Sequence, residues 1–175
     1  AFSDMKTFKL CGIYSRTFNK AKKISTKFKL PYCCKSINDL YTVIKPDLVV
    51  IAVSVENTKK VCNEALKFPW TCLVEKPLGY NLNETIQIKK KIKNKKKLYA
   101  ALNRSHYSST NEILKLIKND KSTRVINIYD NQNTINLMKE GVPKKVIKNW
   151  IFSNSIHLID YCRIFARGSA KKYNK

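Results

Sequence analysis

The sequence predicts an α/β fold built on a parallel sheet, and three observations carry that prediction. Short apolar, β-branched runs alternate with amphipathic helical stretches from Phe8 onward, the order expected when helices cover the faces of a parallel sheet. The run Leu48–Val53 is continuously apolar, as strands buried between helices are. The stretch Thr71–Gly79 ends an apolar run in Glu75, Lys76 and Pro77, so polar groups gather at a strand end, where open parallel sheets bind their ligands.

Length and composition set the bounds. The chain has 175 residues, room for one domain or for one and part of a second. Its hydrophobic fraction of 43% is that of a protein with a core. It contains no apolar run of about 18 residues, so no membrane span is expected, and no signal peptide opens it. The six cysteines (Cys11, Cys33, Cys34, Cys62, Cys72, Cys162) form no C-x-x-C pair and no metal spacing. They are expected to be reduced interior residues of a cytoplasmic protein that binds no metal. The formal charge of +23 raises nucleic acid as a partner. The excess, however, is lysine scattered over the whole length, and arginine supplies the bidentate contacts that sequence readers need. No specific nucleic-acid partner is expected.

The elements follow in order. Phe8–Tyr14 reads as a strand, and a helix capped by Thr17 or Asn19 is expected to run to Phe28. Pro31–Lys35 is a short strand, and Ser36–Ile44 a capped helix with Asp39 in its first turn. Lys45-Pro46-Asp47 breaks the chain before the strand at Leu48. Asn57 is the expected cap of a helix to Leu66 that turns Val61, Ala65 and Leu66 toward the sheet. After the strand ending at Val74, Asn83–Lys97 reads as a helix whose final turns are nearly all lysine, favourable to its dipole. Leu98–Leu102 returns as a strand, followed by Asn103 and Arg104. Ser108 or Ser109 can cap a helix to Lys118. Thr123–Asp130 alternates like the first strand of another sheet, and Gly141-Val142-Pro143 breaks a polar linker. In the last segment Ile156, Ile159 and Ile164 would line one helical face, with His157 and Asp160 on another.

Lys76 is the residue with the sharpest chemical reading. A lysine held at the tip of a buried strand is desolvated, and an amine brought near neutrality can exchange a proton with a substrate hydroxyl. The competing reading is a solvated turn with a chance Glu-Lys pair. Likewise, a lone His157 on a helix can be a structural residue rather than a catalytic one.

Taken together, Ser15-Arg16, the strand at Leu48, Glu75-Lys76-Pro77, Asn103-Arg104 and His157-x-x-Asp160 resemble, in order, the motifs of the glucose-fructose oxidoreductase / inositol dehydrogenase (Gfo/Idh/MocA) family. The resemblance extends from Phe8 to Phe165. It implies a Rossmann-type parallel sheet over residues 1–104, truncated at its N-terminal side, followed over 105–175 by the start of an α+β substrate domain, truncated at its C-terminal side. The Gly-rich loop that would cradle a pyrophosphate is expected before Ala1, so the chain reads as an internal fragment, inactive by itself.

The resemblance also implies an NAD(P)-dependent dehydrogenase or reductase that moves a hydride to or from the hydroxyl-bearing carbon of a sugar or polyol, the parent being a homo-oligomer. Lys76 is then the catalytic acid/base, with His157 binding the same hydroxyl. Cofactor contacts fall on Ser15, Arg16, Val53, Ser54, Thr58, Glu75, Lys76 and Asn103. An acidic residue at the end of the second strand would accept a ribose hydroxyl; Ser15 and Arg16 there favour the 2′-phosphate of NADP. Four positions depart from the pattern: Ser54 stands for a proline, Thr58 for a histidine, Ser105 for an arginine, and Ser153 for an aspartate four residues before His157. The last removes a carboxylate from the expected site. Two other readings stay open, a relative that binds a dinucleotide or sugar without chemistry, and a polyanion binder using Lys89–Lys97.

Overall fold

A computed structural model describes residues 4–92 and 97–166. Five strands, all parallel to their neighbours, form two hydrogen-bonded groups. In the first, β1 (Gly12–Tyr14) pairs with β2 (Tyr32–Cys34), Ile13 opposite Cys33. In the second, β4 (Thr71–Glu75) lies between β3 (Leu48–Ile51) and β5 (Leu98–Ala101), with Ile51 opposite Val74 and Glu75 opposite Ala101. Helix α1 (Phe18–Lys27) joins β1 to β2, α3 (Val55–Ala65) joins β3 to β4, and α4 (Leu82–Lys91) precedes β5. The parallel α/β prediction therefore holds.

The core lies where α3 and α4 cover the three-stranded group. Ile51, Cys62, Ala65, Leu66, Cys72, Val74 and Ile88 are buried together with Trp70. The Trp70 ring closes against Phe68 and Tyr41 at centroid distances of 4.7 and 5.8 Å, and its Nε1 donates to the Ala65 carbonyl at 2.9 Å, so the buried indole keeps a partner. Alternation along β4 buries Cys72 and Val74 on the helix side. The opposite face carries Val50, Leu73 and Tyr99 in register, with Val50 and Tyr99 exposed. Among the described residues only one face of this group is covered, although its strands are apolar throughout.

Several boundaries differ from expectation. The first strand begins at Gly12, not Phe8; Phe8 and Leu10 stay exposed. Helix α3 starts at Val55 with Ser54 at its cap position, and Asn57 sits in the first turn, its Nδ2 donating to Ser54 Oγ at 2.7 Å. The helix after Ser36 is a short α2 (Ile37–Asp39) widening into a π turn over Leu40–Ile44. Helix α4 stops at Lys91, and residues 93–96 of the lysine run lie outside the described residues. Ser108 opens α5 (Ser108–Leu116) as its first helical residue, behind Tyr107 at the cap position.

The second half is helical. Thr123–Asp130 is not a paired strand, because no described strand lies beside it; Val125 and Tyr129 are 83% and 89% exposed. Its guanidinium anchor Arg124 instead donates to the Ile117 and Phe165 carbonyls. The expected polar linker holds α6 (Thr134–Lys139), capped by Asn133, and α7 (Lys144–Lys148). Helix α8 (Trp150–Ser153) leads into α9 (Ile156–Phe165). On α9 it is the face expected to carry His157 and Asp160 that is buried. His157 and Asp160 are buried at 7% exposure each, while Ile159 is 53% exposed. The polar face packs on the first half of the chain.

Candidate active site

Strand β4 ends in the middle of the three-stranded group, so Glu75 and Lys76 emerge where its carboxyl edge meets the later helices. Pro77 follows in a cis peptide bond and is buried. The turn then passes Gly79, where an added Cβ would stand 2.9 Å from Thr85 N and from Glu84 Cβ; only glycine lets the loop lie this close to the start of α4. Asn81 caps that helix by accepting from Glu84 N at 2.9 Å, and Glu84 accepts in return from Tyr80 N at 2.9 Å. The loop carrying Lys76 is thereby fixed at both ends.

The lysine reaches across to the junction of α8 and α9. Its Nζ donates to the Ser153 carbonyl at 3.2 Å and to Asn154 Oδ1 at 3.4 Å. His157 lies one turn further along α9, buried. Burial lowers its pKa first, then the positive charges of Lys76 and Arg104, against a smaller opposing influence of Asp160. His157 is therefore neutral at pH 7. Two buried polar atoms here have no hydrogen-bond partner among the described residues, His157 Nδ1 and Ser153 Oγ. An unpartnered buried hydroxyl and ring nitrogen beside a lysine leave hydrogen-bonding capacity for a small polar group.

Arg104 arrives from the turn after β5 (Asn103–His106), whose carbonyl at Arg104 accepts from Thr110 Oγ1 at 2.9 Å and from the Tyr161 hydroxyl at 3.4 Å. Asp160 is committed to Arg163 Nε at 2.7 Å. Asp130 accepts from the Ser155 hydroxyl and from Gln132 Nε2, and these bonds lower its pKa.

The structure thus gathers Lys76 and His157 in one cluster. Glu75 and Asn103 lie exposed at the same sheet edge, Asn103 two positions beyond Ala101, the partner of Glu75. Val53 and Ser54 are exposed at the carboxyl end of β3. Ser15 and Arg16 occupy the equivalent end of β1; Ser15 Oγ accepts from Thr17 N at 3.3 Å and Arg16 is exposed. Thr58 stands apart, buried against the sheet with its hydroxyl turned back to the Ser54 carbonyl at 3.4 Å. Sequence reasoning did not single out Asn154, Gln132 or Asp130. Their one signal was adjacency, since Asn154 follows the departing Ser153.

The polar residues Ser15, Arg16, Ser54, Glu75 and Asn103 thus stand at the carboxyl ends of β1, β3, β4 and β5. No described glycine (Gly12, Gly79, Gly141) opens a helix in the manner of a phosphate loop. Among the described residues no group of His, Cys, Asp or Glu could hold a metal, and no helix is long and apolar enough to cross a membrane.

The profile of an oxidoreductase family with an NAD-binding Rossmann fold, Gfo/Idh/MocA, matches residues 1–103. The chain belongs to that family. Three solved structures show the same fold. A Desulfitobacterium hafniense protein assigned as an NADPH-dependent oxidoreductase is 20% identical at a TM-score of 0.63, over 67% of this chain and 34% of its own. UDP-N-acetylglucosamine 3-dehydrogenase GnnA from Acidithiobacillus ferrooxidans is 15% identical at 0.56, over 61% and 34%. Myo-inositol dehydrogenase from Lactobacillus casei, solved with NAD(H) and myo-inositol, is 17% identical at 0.57, over 62% and 33%. The matched region spans about a third of each of these chains. No curated protein sequence matches.

Proposed function

We propose that the protein containing this chain is an NAD(P)-dependent oxidoreductase that interconverts an alcohol and a carbonyl on a sugar, sugar derivative or polyol. The observation that carries this reading is the pair of hydrogen bonds from Lys76 Nζ to the α8–α9 junction, 77 and 78 residues away in sequence. They hold a lysine at a sheet edge beside a neutral, buried histidine with a free ring nitrogen.

A nicotinamide bound at the carboxyl edge of the strands supplies or takes the hydride. In the oxidative direction Lys76 accepts the hydroxyl proton as the carbonyl forms, and in the reverse direction it returns it. Neutral His157 holds the same oxygen through a ring nitrogen. Glu75, exposed next to Lys76, and Asn103 border the position of the ring, while Ser54 and Val53 border the ribose. Arg16, exposed at the end of β1, is suited to pair with a 2′-phosphate, which favours NADP. The substrates in the names of two structural neighbours, myo-inositol and a UDP-linked N-acetylglucosamine, both carry ring hydroxyls, which supports the substrate class. None of the six cysteines is in a disulfide, in keeping with a reducing cytoplasm.

Replacement of Lys76 by Met in the full-length protein tests the assignment. Turnover of the responsive polyol should fall by about 10²–10⁴-fold, with NADPH and NADH affinities, titrated by nicotinamide fluorescence, changing little. Undiminished turnover removes Lys76 from its role. The unpartnered Ser153 hydroxyl, standing where a carboxylate is expected, favours one second reading, a relative that binds dinucleotide and sugar without chemistry. Cofactor binding with no reduction across a broad sugar panel would establish it.

A further inference from the structure

We infer that Asn154 is a positioning residue for Lys76, holding the lysine through a neutral amide at the place where the family pattern puts a carboxylate one residue earlier. Lys76 Nζ has two acceptors here, the Ser153 carbonyl and Asn154 Oδ1. The hydroxyl of Ser153 is buried without a partner and takes no part in holding the lysine.

The Asn154 amide is itself oriented. Its Nδ2 donates to Gln132 Oε1 at 3.3 Å, an oxygen that also accepts from Trp150 Nε1 at 2.9 Å. With Nδ2 so engaged, Oδ1 faces the lysine; a flipped amide would set donor against donor at Lys76 and acceptor against acceptor at Gln132. Gln132 is fixed in turn because its Nε2 donates to Asp130, whose second oxygen accepts from the Ser155 hydroxyl. The irregular segment at 130–132 thus acts on Lys76 through one amide, and the carboxylate of Asp130 is kept at the far end of the relay.

The chemistry differs from that of a carboxylate contact. A carboxylate beside an ammonium favours the protonated lysine, by on the order of one to three pH units for a close opposite charge. An amide oxygen fixes the direction of Nζ with much less bias toward the charged form. Asn154 therefore aims the lysine without placing a second charge beside it.

The inference rests on the proposed role of Lys76, but the first readout of its test does not depend on turnover. In the full-length protein, trace acetylation with isotopic acetic anhydride at fixed pH reads the free-amine fraction of Lys76 from its own peptide by mass spectrometry. Asn154→Asp should slow labelling of Lys76 about tenfold, as one pH unit requires, and move the Lys76 limb of the pH–rate profile to higher pH. Gln132→Ala, which releases the amide without adding charge, should lower kcat with little change in KM. Lys76 labelling within twofold of wild type in Asn154→Asp, with circular dichroism unchanged, overturns the inference. An unchanged kcat in Gln132→Ala overturns the relay to the 130–132 segment. If Lys76→Met keeps full turnover while Asn154→Asp still alters labelling, the catalytic reading fails and the positioning contact stands.

Discussion

His157 shows what a single side chain contributes to both stability and chemistry. Its pKa is lowered from the ordinary 6.5 by burial and by Lys76 and Arg104. The folded state therefore binds the proton less readily than the unfolded chain. The sign follows: this contribution is fully present above about pH 6.5 and is lost as pH falls toward the folded pKa. Thermal unfolding between pH 7.5 and 5 should show wild type losing more Tm than His157→Gln, the two curves drawing together on the acid side. Parallel curves would show that the ring is not held neutral by the fold. At this scale Lys76 was legible because strand, charged pair and proline follow one another in sequence. Asn154 was not, because an asparagine in a helix junction looks like any turn residue until its partners, Gln132 and Lys76, are brought to it by tertiary packing. Thr58, placed among the cofactor contacts by the resemblance, is buried with its hydroxyl donating to the Ser54 carbonyl, an orientation its sequence position could not give.

Elements are decided by where their backbone and cap groups find partners. Helix α4 is closed at its start by Asn81 and Glu84 and at its end by Ile92 N donating to the Lys89 carbonyl at 3.1 Å. Since the same loop carries Lys76, Asn81→Ala should cost about 1 kcal/mol of stability in urea unfolding and also slow turnover by loosening the lysine; unchanged stability would mean that Glu84 alone holds the turn. Strand β3 was legible because a continuous apolar, β-branched run after Pro46 and Asp47 leaves few alternatives, and β2, β4 and β5 because short apolar runs there are bounded by Pro or Lys. In Thr123–Asp130 alternation marked the first strand of a sheet whose partner strands were not expected within the chain, and among the described residues it pairs with none. On α9 the sharing of one face by His157 and Asp160 was legible from their spacing of three, but not that this face is the buried one, with Ile159 outside among Ile151 and Leu158.

At the scale of the whole molecule the dominant quantity is the charge of +23. Two ion pairs that offset it locally are Glu56 with Lys145 and Asp160 with Arg163. The first, with the Tyr80 hydroxyl donating to the Lys145 carbonyl at 2.6 Å, ties α7 to the first half of the chain. The described lysines are spread over α1, α3, α4 and α7 alike. A charge distribution of this kind attracts any polyanion through released counterions and reads no sequence. Fluorescence anisotropy with duplex DNA should therefore give the same affinity for unrelated sequences. That affinity should fall by about 10³–10⁵-fold between 50 and 200 mM salt if six to ten phosphates are contacted. A sequence preference persisting at the higher salt would place base-reading contacts on this surface and make nucleic acid a partner in its own right. Equal affinities that vanish with salt leave the charge as a property of solubility and encounter, with function residing at the edge of β4.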